Sequence, residues 1–166
     1  METEKIMGTI SDLETLYEPM ALAIFDQGAK AMYCSMVTST PDAKARLLKA
    51  ISAPDFRAAD IVGKKLVMVM DIIAHNVQLV SEQTGEITDA NRVILVTPSG
   101  QTVATVSAGV VSGLSRIMSL FGKAPWNPPL PLYIEQTNTR KGNRIYNILV
   151  AEDAAAKKWP ADHVIK

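Results

Sequence analysis

The sequence predicts an α+β fold, mostly β, and three observations carry that expectation. Residues 61–150 contain five short runs rich in β-branched residues. One amphipathic helical run separates the third of these from the fourth. Gly- and Pro-rich turn signals punctuate the whole region. Strand, strand, strand, helix, strand, strand is the order of the OB-fold, a five-stranded, partly open barrel. Residues 61–150 are therefore expected to form the barrel, 1–60 an N-terminal helical extension packed on it, and 151–166 a loosely ordered tail.

Residues 1–12 read as a polar terminus. A short helix is expected over residues 19–27, with Pro19 in its first turn, and a strand over 31–37. Thr40 followed by Pro41 is a cap and first-turn pair, which predicts a helix to about Ile51 with Leu47, Leu48 and Ile51 on one face. The first barrel strand is expected to start at Ile61 and to run, long and bent, to Val80. Residues 81–91 are polar, with Gly85 as the turn between the first two strands. Residues 92–96 and 101–106 supply the second and third strands, joined at Pro98-Ser99-Gly100. Ser107 opens the helix, whose apolar residues Val110, Leu114, Ile117, Met118 and Phe121 share one face, and Gly122 stops it. Lys123 to Pro131 is too rich in proline to be regular. Residues 132–136 and 144–150 are the last two strands, joined by a basic turn around Gly142.

The chain of 166 residues is 48% hydrophobic, enough for one domain with a proper core, and its net charge is +0. An overall basic balance, the simplest sign of nucleic-acid binding, is thus missing. The charge is nonetheless uneven: residues 1–60 hold six Lys/Arg against nine Asp/Glu, whereas residues 61–150 hold eight against five. The single cysteine, Cys34, excludes an internal disulfide framework and a Cys-rich metal site. The acidic start lacks the apolar run of a secretory signal, and no stretch reaches the ~20 apolar residues of a membrane span. These features lead to the expectation of a cytoplasmic protein with no membrane association.

Signals for catalysis are sparse. His75 and His163 are far apart and have no ligand-spaced partner, and neither phosphate-loop nor dinucleotide-binding glycine patterns occur. Ser107 lacks the Gly-x-Ser-x-Gly setting of a nucleophile. No enzyme activity, cofactor or metal is expected. Binding signals are better. Arg140, Lys141 and Arg144 crowd one hairpin, either as a binding loop or as a solvated turn. Lys64 and Lys65 begin the first strand on opposite faces. Arg92 opens the second strand, and Lys123 and Trp126 stand together in the proline-rich segment, where Trp126 could equally be a buried plug. Tyr133 and Tyr146 lie on the last two strands, where an exposed ring could stack on a base or else pack in the core. A basic groove with such rings suits single strands, because every base has a π-face and a phosphate.

Asp60-Ile61-Val62-Gly63-Lys64, Gly85-Glu86, Arg92-Val93 and the run from Ser107 through Phe121-Gly122 to Pro125-Trp126 together resemble the small single-stranded-DNA-binding proteins of tailed bacteriophages. The resemblance covers roughly residues 43–150 and rests on order and spacing. It implies an OB-fold protein that coats and protects single-stranded DNA with little sequence preference during phage replication or recombination, without catalysis. Single-stranded DNA and replication proteins would be its partners, the host cytoplasm its location. The ending Asp162-His163-Val164-Ile165-Lys166 departs from the acidic, aromatic-tipped tail of bacterial single-strand binders. The alternative is an OB-like protein-interaction or virion-assembly module that touches no nucleic acid. The residue pattern leaves the oligomeric state open.

Overall fold

The structure, a computed structural model, describes residues 32–166. The helix expected over residues 19–27 lies outside the described residues. Within the strand expected over residues 31–37, β1 (Tyr33–Cys34) is formed. Thr40 caps α1 (Pro41–Ser52) by accepting the Ala43 N–H at 3.1 Å, with Pro41 in the first turn as expected. The buried face of α1 differs from the expected one. Leu47 and Ala50 are buried, whereas Leu48 is 66% exposed. Each helical residue turns about 100° from the last, so Leu47 and Leu48 cannot face the same way.

The expected first strand is divided. β2 (Phe56–Arg57) leads into a single helical turn, α2 (Ala58–Ile61), so Ile61 ends a helix instead of opening a strand. Gly63 follows with φ of 68°, and its N–H donates to the Ile134 carbonyl at 2.8 Å. Lys64 and Lys65 therefore occupy a turn and do not alternate across a sheet. The strand then breaks at Met70 into β3 (Leu66–Val69) and β4 (Asp71–Val80). Met70 donates its N–H to the Val96 carbonyl at 2.9 Å and accepts the Trp126 N–H at 2.8 Å. Its backbone thus bonds in two directions, and β3 and β4 enter different sheets.

β5 (Ile87–Val96) starts earlier than expected, because Ser81 and Glu86 close a tight turn at Gly85 (φ 71°) and let β4 and β5 pair over their whole lengths. β6 (Thr102–Thr105) and α3 (Ala108–Phe121) follow. Ser107 caps α3 by accepting the Val110 N–H, and Gly122 ends it at φ 81°. β7 (Leu130–Asn138) and β8 (Arg144–Val150) form the last hairpin. A short helix, α4 (Asp153–Ala156), a 3-10 turn (Ala161–His163) and β9 (Val164–Ile165) complete the chain. β9 pairs in parallel with β3, Ile165 is buried, and the terminal Lys166 carbonyl accepts from the Ser99 hydroxyl.

The result is a mostly-β α+β fold with two sheets, ordered β1-β4-β5-β6-β2 and β8-β7-β3-β9. One face of the first sheet (Ile72, Val93, Leu95, Val103) meets the second sheet (Val67, Val69, Leu132, Ile134, Ile148) and the α3 residues Val110, Leu114, Ile117 and Met118 in the main core. The alternate residues Ile73, Ile94 and Val96 form a second cluster with Leu47 and Ala50 of α1, as the period of two along a strand requires.

Among the described residues the sheets do not close into a barrel, and the reason is visible at both edges that closure would join. The free edge of β6 is taken by β2, which pairs with it in parallel. The outer edge of β8 is covered by α3. The bond from the Ala151 N–H to the Pro131 carbonyl sets the parity of the β7–β8 ladder, so the Tyr146 and Ile148 carbonyls point away from β7. There they meet Gly109 and Gly113: a Cβ at Gly109 would collide with the Tyr146 carbonyl oxygen, and one at Gly113 would lie 2.6 Å from Ile148 Cγ2.

Candidate nucleic-acid interface

The place where β6 and β8 fail to meet is an open cleft of about 770 Å³. Its lining includes Ala58, Ala104 and the segment from Thr105 to Gly109, where β6 passes into α3. Three arginines from distant parts of the chain reach it, and no acidic residue lines it. Arg57 is delivered by the β2 pairing with β6. Its Nε lies 3.5 Å from Asp60, but both side chains are well exposed, so the pair contributes little and the outer guanidinium nitrogens remain available. Arg92 projects from β5, and its Nη1 donates to the Ile51 carbonyl at 2.7 Å, which fixes the side chain against the end of α1. Arg144 opens β8 and is exposed. Tyr146, two residues on, shares its face of the strand and is half-buried against the main core.

Opposite Arg92, across the β4–β5 ladder, stands His75. Burial holds its pKa below the ordinary value, and the Arg92 charge lowers it further. Asp71 has the opposite displacement: burial raises its pKa, partly offset by the Ser35 hydroxyl donating at 2.9 Å. It lines a different depression, beneath α1.

The sequence-derived candidates fall into separate groups. Arg92, Arg144 and Tyr146 converge on the cleft. Arg140 and Lys141 sit exposed at the tip of the β7–β8 turn, which Thr139 closes by bonding Gly142 and Asn143 at 2.9 Å each, and they are not part of the lining. Lys64 and Lys65 line a second depression on the other side of α2, near Tyr133, whose ring lies 6.3 Å from that of Trp159. Lys123 is half-buried after the end of α3. Trp126 does not fit a stacking role: its ring is 6% exposed in the main core, its indole N–H donates to the Gly122 carbonyl at 2.9 Å, and it presents no face to a base. Arg57, Lys158 and Trp159 were not singled out in the sequence. Arg57 lies in the acidic segment of residues 1–60, and its only signal was the short Phe-Arg segment after Pro54.

The opening brings three guanidinium groups and one aromatic ring together on a mostly-β scaffold. The family model described as Phage Single-stranded DNA-binding protein matches residues 26–151, and the chain belongs to that family. No curated protein and no solved structure matches it significantly. The match includes the resemblance read over residues 43–150 and extends N-terminally to residue 26.

Proposed function

We propose that the chain binds single-stranded DNA with little sequence preference in the cleft between β6 and β8, and coats and protects it during phage replication or recombination. The observation that carries this reading is the convergence of Arg57, Arg92 and Arg144 with Tyr146 on one opening without an acidic residue. Guanidinium groups meet phosphates and also stack on bases, so neither affinity nor fit requires a particular sequence. The reading treats the scaffold as an OB-fold. The strand order and the pairings β4–β5, β5–β6, β3–β7 and β7–β8 support that assignment, with the barrel left open between its third and fifth strands. The binding unit is then residues 61–150, assisted by Arg57 from the N-terminal extension, with residues 151–166 tied to the second sheet by β9. Binding proceeds without catalysis, in the cytoplasm of an infected host, beside replication proteins. Arg140 and Lys141, at the hairpin tip, would guide the strand towards the cleft.

The test is an anisotropy titration of labelled oligo-dT at several salt concentrations. A short oligonucleotide that meets the three arginines should give a log–log salt slope near −2, from ~0.7 per phosphate on single strands. Salt-independent binding would refute a backbone-gripping cleft. No binding at low salt would leave the interaction module as the better reading.

A further inference from the structure

A second basic depression, of about 610 Å³, lies beyond the far end of α2. Gly63, Lys64 and Lys65 form one wall, and Lys158, Trp159 and His163 of the C-terminal segment form the other. No acidic residue lines it, although Asp162 lies 3.7 Å from the His163 ring. Lys64 and Lys158 are exposed, and Trp159 is half-buried, held by its tilted contact with Tyr133. An ammonium pair beside a partly open indole is the combination that receives a phosphate and an unstacked base.

The two depressions are neighbours. Arg57, Ala58 and Ala59, at the start of α2, line the first, and the residues just past its end line the second. Four helical residues rise only about 6 Å. Lys65, which lines the second depression, holds its Nζ 5.3 Å from the ring centroid of Phe56, the residue before Arg57. The turn that carries these lysines is pinned to β7 through the Gly63–Ile134 bond and does not have to be ordered on binding.

We infer that Lys64, Lys158 and Trp159 form a second single-stranded-DNA subsite, into which a strand leaving the arginine cleft continues past α2. The inference rests on the function proposed above and extends its footprint. It assigns the C-terminal segment a direct part in binding: β9 fixes that segment to the sheet, and the 158–163 stretch presents the binding groups.

The experiment compares an oligo-dT of about four nucleotides with one of about twelve, within the range that single OB folds cover. In the unaltered protein the longer strand should show a salt slope near −3.5, against about −2 for the short one, since two more phosphates add ~0.7 each. The longer strand alone should quench tryptophan fluorescence, because Trp126 is buried and Trp159 is the ring within reach. The double variant Lys64→Ala/Lys158→Ala should bind the long strand with the short-strand slope, which across a fourfold rise in salt is about a seven-fold smaller loss of affinity. Its binding of the short strand should be unchanged. Equal slopes for both lengths in the unaltered protein, or full long-strand behaviour in the double variant, would overturn the second subsite while leaving the arginine cleft intact. Quenching by free thymidine monophosphate as strong as by the long strand would also overturn it, in favour of a mononucleotide site. Failure of both lengths to bind would remove the underlying function itself.

Discussion

Replacing Gly109 by Ala should both destabilise the protein and damage the cleft, although helix propensity alone favours the change. Ala is better than Gly inside a helix by up to about 1 kcal/mol. At this position, however, the added Cβ would meet the Tyr146 carbonyl oxygen, with the carbonyl carbon 3.2 Å away. The obstacle is backbone, and β8 is tied along its other edge to β7, so neither partner can rotate clear. The helix must instead lift from the strand. Overpacking costs about 1–3 kcal/mol, and a collision with backbone falls in the upper part, about 2–3 kcal/mol; a propensity gain of up to about 1 kcal/mol then leaves a net loss of about 1–2 kcal/mol. For a chain of this size each kcal/mol moves Tm by about 2–4 °C, so a fall of about 2–8 °C is expected. Ser112→Ala, on the exposed side of the same helix, is the control and should stay within about 0.5 kcal/mol. Thermal melting followed by circular dichroism reads the stability. Because Gly109 and Tyr146 both line the arginine cleft, oligo-dT anisotropy should show weakened binding in the same variant at a temperature where it is folded. A Gly109→Ala protein with an unchanged or raised Tm would refute the close approach of α3 to β8, and with it the account of why the sheets stay open.

Three further outcomes follow from the placement of individual side chains. Arg144→Ala should reduce the salt slope by ~0.7 with a short oligonucleotide, whereas Arg140→Ala/Lys141→Ala together should leave that slope nearly intact, since neither lines the cleft; the reverse result would move the site to the hairpin tip. Tyr146→Ala should weaken binding by about 1–3 kcal/mol if a base stacks there, while Tyr146→Phe should retain it, as anisotropy would show. Burial, and then the Arg92 charge, lower the pKa of His75, so below its ordinary value of 6.5 the unfolded chain binds more protons than the folded one, and stability falls as pH drops through that value towards the depressed folded pKa. Melting at pH of about 7.5 and about 5.5 should show a smaller acid loss in His75→Gln than in the parent; an identical loss would exclude His75 as the cause.

Much of the architecture was legible because local chemistry and tertiary need agree. Thr40-Pro41, Ser107 and Gly122 mark helix ends, and those helices end where the caps say. The alternating Val93 to Val96 run is a two-faced strand because α1 covers one face and the main core the other. What escaped was decided by backbone bonds between distant residues. The apolar stretch from Ile61 to Ile73 looks continuous, yet Gly63 bonds to Ile134 and Met70 bonds to both Val96 and Trp126, which cuts it into a helical turn and two strands. Leu48 is apolar and was expected on one face with Leu47 and Ile51, but α1 turns it outward while Leu47 is buried. For Trp126 the sequence left two readings open, a stacking ring beside Lys123 and a buried plug, and the structure takes the second: the ring is in the main core and its indole N–H caps the end of α3 at Gly122. Of the proposed site, Arg92, Arg144 and Tyr146 could be named from strand positions alone. Arg57, Lys158 and Trp159 could not, since β2 and β9 are two residues long and leave no periodic signal.

The neutral net charge, which argued against a nucleic-acid ligand, loses its force once the arginines are located. Mobile ions screen exposed charges over about 8–10 Å, so a strand in the cleft responds to the groups beside it and hardly to the total. Arg57 comes from the segment with an acidic excess, and Arg92 and Arg144 from the segment with a basic one. Pairing of β2 with β6 is what carries Arg57 across to the other two, and it does so by occupying the very edge that a closed barrel would need. The same substitution of partners, β2 for β8 along β6, therefore keeps the sheets apart and assembles the basic wall. Closing the barrel would require β2 to leave and would take Arg57 with it. The open seam is for this reason a condition of the proposed binding site.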